Sequence, residues 1–92
     1  MSYTILFHPE VAHDVSRLSG TMKDRIKTVL KERLASEPAL YGKPLRATLN
    51  GYWKLRVGDY RVVFGIQGSE VFVYAICHRR EAYEIVHNRL DC

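Results

Sequence analysis

Gly58 and Asp59 sit between two runs in which every second side chain is apolar, and that pattern leaves the middle of the chain very few ways to fold. Trp53, Leu55 and Val57 precede the pair, and Tyr60, Val62, Phe64 and Ile66 follow it. A period of two marks half-buried strands. A two-residue link with Gly first suits a hairpin turn that needs a positive φ. Such a turn pairs Val57 with Tyr60, and so sets Leu55 opposite Val62, Trp53 opposite Phe64, Arg56 opposite Arg61 and Lys54 opposite Val63. Slipping by one residue would turn the whole apolar set to solvent, so the pattern specifies its own register.

A second turn, Gln67-Gly68-Ser69-Glu70, leads into Val71, Val73, Ala75 and Cys77. Centred on Gly68-Ser69, it predicts Phe64 opposite Val73 and Val62 opposite Ala75, with Ala75 and Cys77 on the buried face. Phe72, Tyr74, Ile76 and His78 then share the other face with Lys54, Arg56 and Arg61, and Tyr52 lies on it too. Like charges directly opposite one another destabilise a sheet. An anion lying across the cations would remove that cost, and a phosphate backbone is the obvious candidate. The alternative is that each arginine reaches a surface acid such as Asp59, Glu70 or Glu81, an arrangement worth little either way.

Ahead of the strands the apolar period is 3.6. Tyr3 to Phe7 reads as a first strand, and His8-Pro9-Glu10 as a helix start with Pro at the first helical position. Val11, Val15 and Leu18 make one stripe. Thr21 to Asp24 reads as a capping box opening a longer helix striped by Met22, Ile26, Val29, Leu30 and Leu34. Its lysines face outward. Pro38, Gly42 and Pro44 mark a loop, and Arg80 to Leu90 has the spacing of a short terminal helix. The expectation is one α+β domain spanning residues 1–92, in the order βααβββα, with the helical hairpin packed on a mostly antiparallel sheet.

Composition narrows the function classes. The 92 residues are 47% hydrophobic, enough for one modest core. Fourteen Lys and Arg against ten Asp and Glu give a net +4, which favours polyanionic partners. No apolar run approaches the roughly 20 residues of a membrane span. The N-terminal residues do not read as a signal peptide, so a cytoplasmic protein without membrane partners is expected. Cys77 falls in a strand and Cys92 at the end, and neither suggests a disulfide or zinc. No Gly-rich phosphate loop, metal-ligand cluster or Ser-His-Asp arrangement is visible, so neither metal nor small-molecule cofactor is expected.

The stretch G-Y-W-K-L-R-V-G-D-Y-R-V-V-F, followed by V-F-V-Y-A-I-C and H-R-R-E-A-Y-E, resembles the RelE/ParE superfamily of bacterial and archaeal toxins, and more closely its RelE branch. The resemblance covers nearly the whole chain, including Lys43-Pro44-Leu45-Arg46. It implies a toxin of a type II toxin–antitoxin module, an endoribonuclease that cuts messenger RNA on the ribosome and is silenced by a partner antitoxin. By that resemblance Lys54 acts as base or charge stabiliser, Arg61 holds the scissile phosphate, and Tyr83 stacks on or orients the nucleotide. Either Arg79 or Arg80 assists the leaving group. Tyr52 stands where some members carry a second basic residue.

Metal-free RNA cleavage needs a 2′-hydroxyl deprotonated, a dianionic phosphorane stabilised and the 5′-oxygen protonated. Arg56 and Arg61 suit the second task, because guanidinium forks bind phosphate oxygens in pairs. Neighbouring cations disfavour a lysine's charged form, and these two arginines are placed to do so for Lys54. His78 is the other proton carrier on that face; His8, His13 and His87 are given no role. Tyr52 and Tyr74 are candidate stacking partners for bases, so Arg56, His78, Tyr52 and Tyr74 form the expected RNA-binding set. Glu81 and Glu84 read as helix-surface acids. Two further readings stand beside the nuclease: a ParE-like inhibitor of DNA gyrase on the same fold, and a non-catalytic RNA-binding module.

Overall fold

The computed structural model describes residues 3–44 and 51–81 together with Glu84. Strand β1 (Thr4–Phe7) is followed by helix α1 (Val11–Ser16) and helix α2 (Gly20–Val29), which runs on into a π-type turn at Leu30–Leu34. A short helix α3 (Pro38–Tyr41) leads to β2 (Lys43–Pro44), and then come β3 (Trp53–Val57), β4 (Tyr60–Gln67) and β5 (Glu70–His78). The sheet order is β1-β5-β4-β3-β2, with β1 parallel to β5 and the other pairs antiparallel. This is the expected α+β architecture, with α3 and β2 added inside the anticipated loop. The terminal helix expected over residues 80–90 lies outside the described residues apart from Arg80, Glu81 and Glu84, as do Leu45 and Arg46. Among the described residues no helix is long and apolar enough to cross a membrane.

Local chemistry sets the helix ends. The Nδ1 of His8 accepts the Glu10 amide at 3.1 Å and the His8 carbonyl accepts the Val11 amide at 2.9 Å, so Pro9 and Glu10 occupy an entry turn and α1 begins two residues after the proline. The cap of α2 is Ser19 rather than a box beginning at Thr21: its hydroxyl accepts the Met22 amide at 3.2 Å. An i to i+5 bond from the Ala35 amide to the Leu30 carbonyl, 3.0 Å, widens the last turn. Leu30 and Leu34 are both buried there, against the sheet.

The core lies between the helices and one face of the sheet. Val11, Leu18, Ile26, Leu30 and Leu34 meet Leu55, Val57, Val62, Phe64, Val71, Val73 and Ile76. Full burial of each such side chain contributes roughly 1.5–3 kcal/mol. Phe64 is completely buried, and its ring sits so close to Gly42 that a β-carbon there would overlap it. A glycine at that point lets β2 reach β3.

The first hairpin has the expected register: Trp53 pairs with Phe64, Leu55 with Val62, Arg56 with Arg61 and Val57 with Tyr60, around Gly58 at φ +62°. The second begins as expected, Ile66 with Val71 and Phe64 with Val73. It then shifts by one residue, because Val63 pairs with Ala75 and leaves Tyr74 as the extra residue of a bulge. Beyond it the faces of β5 exchange. Val62 pairs with Ile76 and Tyr60 with His78 on the helix side, while Arg61 pairs with Cys77 on the other. The expected placement of Ala75 and Cys77 with the helices, and of Ile76 and His78 with the arginines, is therefore reversed.

Strand β1 reaches only as far as Val73, where the bulge begins. Past that point the outer edge of β5 has no strand beside it among the described residues, and helix α1 crosses there instead. The buried Asp14 accepts the Ile76 amide on Oδ2 at 3.1 Å, replacing a strand carbonyl.

Candidate functional site

The Gly58-Asp59 turn gathers the cations. It sets Arg56 and Arg61 opposite each other, and both turn back to one acceptor: Arg56 Nε donates to the Gly58 carbonyl at 3.4 Å and Arg61 Nη1 at 3.3 Å. Arg61 Nη1 also donates to the Tyr60 carbonyl at 3.0 Å. Among the described residues neither arginine pairs with an acid. The alternative in which Asp59, Glu70 or Glu81 neutralises them is thereby set aside. A shared carbonyl relieves part of the repulsion of the facing guanidiniums and leaves their net charge intact.

Lys54 extends the charge across the sheet. It is half-buried between two cross-strand partners, Val63 on β4 and Lys43 on β2. A second like-charge pair thus lies beside the first, with the buried Val63 on the neighbouring strand. These side chains line a cleft of about 300 Å³. Its sheet side is Lys43, Lys54, Leu55, Arg56 and Arg61, and its helical side is Arg33 and Tyr41, with the Arg33 guanidinium carbon 5.4 Å from the centre of the tyrosine ring. Among the described residues five cations and no carboxylate line it. The cleft can hold a chain of phosphates, and it offers guanidinium forks and ammonium groups to charge developing on one of them.

The remaining expected site residues divide between other places. Tyr52 and Tyr74 pack edge to face at 5.1 Å, and Tyr74 lies against Phe72 at 4.8 Å. They line a separate hollow of about 320 Å³ with Gly65 and Leu6. Burial, and next the neighbouring phenol of Tyr52, push the Tyr74 hydroxyl above the ordinary tyrosine pKa. His78 sits against Tyr60 at 5.6 Å in a third hollow of about 230 Å³, beside Asp14 of α1 and Arg17 just after it. It is on the helix side and does not line the basic cleft.

Arg79 and Arg80 are exposed in the turn after β5. The Arg79 amide donates to the Asp59 carbonyl at 2.8 Å, which ties its backbone to the tip of the arginine hairpin. The Arg80 amide donates instead to His78 Nδ1 at 3.2 Å. Tyr83 lies outside the described residues. Among the described residues no three His, Cys, Asp or Glu side chains gather as metal ligands.

Sequence reasoning passed over three lining residues. Arg33 lies on a helix whose periodicity turns the lysines outward and assigns Arg33 no place, and Tyr41 and Lys43 fall where Pro38, Gly42 and Pro44 predict a loop. A strand as short as β2 carries no alternation to detect. The nearest available signal was the lysine of Lys43-Pro44-Leu45-Arg46.

Comparisons with known proteins agree with this outline. The family model for the ParE toxin of the type II toxin–antitoxin system parDE matches residues 5–83. The chain is 31% identical over 85 residues to the toxin RelE of Mycobacterium tuberculosis, covering 90% of this chain and 88% of that one. It is 29% identical to the toxin RelG of the same organism, over 90% of this chain and 98% of the relative. Among solved structures, the toxin–antitoxin complex RelBE2 of M. tuberculosis superposes with a TM-score of 0.80 at 28% identity, covering 86% of this chain and 93% of the other.

Proposed function

The chain belongs to the RelE/ParE superfamily of toxins, and from that premise we propose that it is a ribosome-dependent messenger RNA endoribonuclease that a cognate antitoxin holds silent. The observation that carries this reading is the cleft in which Lys54, Arg56 and Arg61 meet two further cations, Lys43 and Arg33, with no carboxylate among its described lining residues. Inhibition through protein contacts alone has no need of such a concentration of charge.

The reaction follows from the groups present. The 2′-hydroxyl of the nucleotide before the cut gives up its proton and its oxygen bonds to phosphorus. The bond from phosphorus to the 5′-oxygen breaks, and that oxygen takes a proton. The products are a 2′,3′-cyclic phosphate and a 5′-hydroxyl. Arg61 and Arg56 exchange the Gly58 carbonyl for the phosphorane oxygens, and Lys54 takes the proton or holds the adjacent charge. Arg79, whose backbone is tied to the same hairpin, assists the leaving oxygen in preference to Arg80. Tyr83 orients the nucleotide, a role that rests on the family resemblance.

The partner assignment rests on the RelBE2 complex, in which the relative is held with its antitoxin. An antitoxin acting by occlusion would compete with RNA for the basic cleft. The deciding experiment is translation of a defined message with purified protein, with cuts mapped in the presence and absence of ribosomes. Cuts confined to ribosome-bound message support the reading, and intact message beside arrested growth overturns it.

One observation favours a second reading: the matching family model is that of ParE. A ParE-like protein would inhibit DNA gyrase. Loss of gyrase supercoiling at toxin concentrations that leave message intact would establish it.

A further inference from the structure

The cations of the cleft occupy more of the surface than one phosphate can use. Lys43 on β2 and Lys54 on β3 face each other, Arg61 lies on β4 two residues before Lys54's partner Val63, and with strands spaced about 4.8 Å apart this diagonal row covers about 10 Å across the sheet. At its end the sheet stops and the helical layer supplies Arg33, stacked on Tyr41. Helix α3 also turns apolar surface outward here: Tyr41 is 45% exposed and Leu40 68%.

We propose that Arg33, Tyr41 and Lys43 form a second nucleotide site on the same RNA strand, adjacent to the one being cut. Lys43 and Arg33 hold the neighbouring phosphate, and the Arg33–Tyr41 pair presents a flat edge on which that nucleotide's base stacks. This rests on the nuclease reading for its substrate, and it assigns contacts that the cleavage step does not require. Single-stranded RNA suits the arrangement better than an acidic peptide does. A row of cations at strand spacing follows a phosphate backbone, and a stacked guanidinium and phenol match a base rather than a carboxylate. The strand then runs across the sheet from β4 to β2 and leaves over α3.

The test uses the intact protein and a short 2′-O-methyl RNA, which cannot be cut, with affinity followed by fluorescence anisotropy across a salt series. Tyr41→Ala is expected to weaken binding about tenfold, and Tyr41→Phe to restore it. Arg33→Gln and Lys43→Gln are each expected to weaken binding and to reduce the salt slope by roughly 0.7. Unchanged affinity and slope in all three variants, in a protein that still cuts message on ribosomes, would remove the second site and leave the nuclease standing. Weakened binding in a protein that cuts no message would keep the site and remove the nuclease. Variants that bind RNA normally and lose binding to a polyglutamate peptide would make this edge a protein-docking surface and overturn the proposal.

Discussion

Strand β4 pairs with β3 at constant register from Tyr60 to Phe64, whereas its pairing with β5 shifts by one residue beside Val63. Both hairpins begin at two-residue turns with a glycine at positive φ, Gly58 at +62° and Gly68 at +59°. The turn therefore does not explain the difference. On β3, polar and apolar residues alternate, so only one register buries the apolar set. On β5, Val71 to Cys77 is apolar at every position, and a slip exposes nothing. The bulge can form there, and it hands Ile76 to the helical core and Cys77 to the arginine side. The first hairpin carries the charge and the second carries the fold.

That division is open to attack, and the largest expected effect is on the first hairpin. Lys54→Ala and Arg61→Ala should each lower message cleavage on ribosomes by about 10²–10³-fold with little change in the urea midpoint. A matching loss of stability would mean the cations are structural. Next comes the strand shared by both hairpins. Phe64→Ala removes the ring that meets Gly42 and stacks on Trp53 at 6.4 Å, and should cost about 3–5 kcal/mol in urea denaturation. Asp14→Ala leaves the Ile76 amide without its acceptor next to the bulge, and should cost about 1–3 kcal/mol by the same measurement.

The smaller effects test the exchange of faces. His78→Ala removes a ring contact with Tyr60 worth about 0.5–1.5 kcal/mol and should leave the salt dependence of RNA binding unchanged. A reduced slope would place His78 with the arginines after all. Finally, the raised phenol of Tyr74 means that the folded chain holds that proton more firmly than the unfolded chain does. Its contribution is complete below the ordinary phenol pKa of about 10 and is lost as pH rises through the raised value. An ultraviolet titration against Tyr74→Phe should show the Tyr74 phenol ionising above the ordinary tyrosine range, and a normal transition would remove the burial argument for the bulge residue.

Legibility in the sequence followed the same physics. Turn chemistry and alternation made the α+β class, the facing pair Arg56 and Arg61, and the position of Lys54 readable in advance. His78 was misplaced because parity cannot be counted through an uninterrupted apolar run. Tyr52 and Tyr74 share the face the alternation predicts, and their edge-to-face contact at 5.1 Å lines a hollow separate from the cation cleft. Arg33, Tyr41 and Lys43 escaped because they reach the cleft from a widened π-type turn, the short α3 and a minimal strand, which leave no periodic trace. Helix starts moved by about two residues, to where His8 and Ser19 supply acceptors for free amides.

The Gly58 carbonyl has a kinetic consequence. It holds Arg56 and Arg61 through contacts of 3.4 and 3.3 Å to a neutral oxygen, and a phosphate offers shorter, charge-assisted bonds in their place. The hairpin is already closed and its backbone already tied to Arg79, so capture asks only for side-chain rotations, which take picoseconds to nanoseconds for an exposed side chain such as Arg56. For the proposed RNA substrate, the speed of engagement is then governed by delivery to the cleft rather than by any rearrangement of the protein.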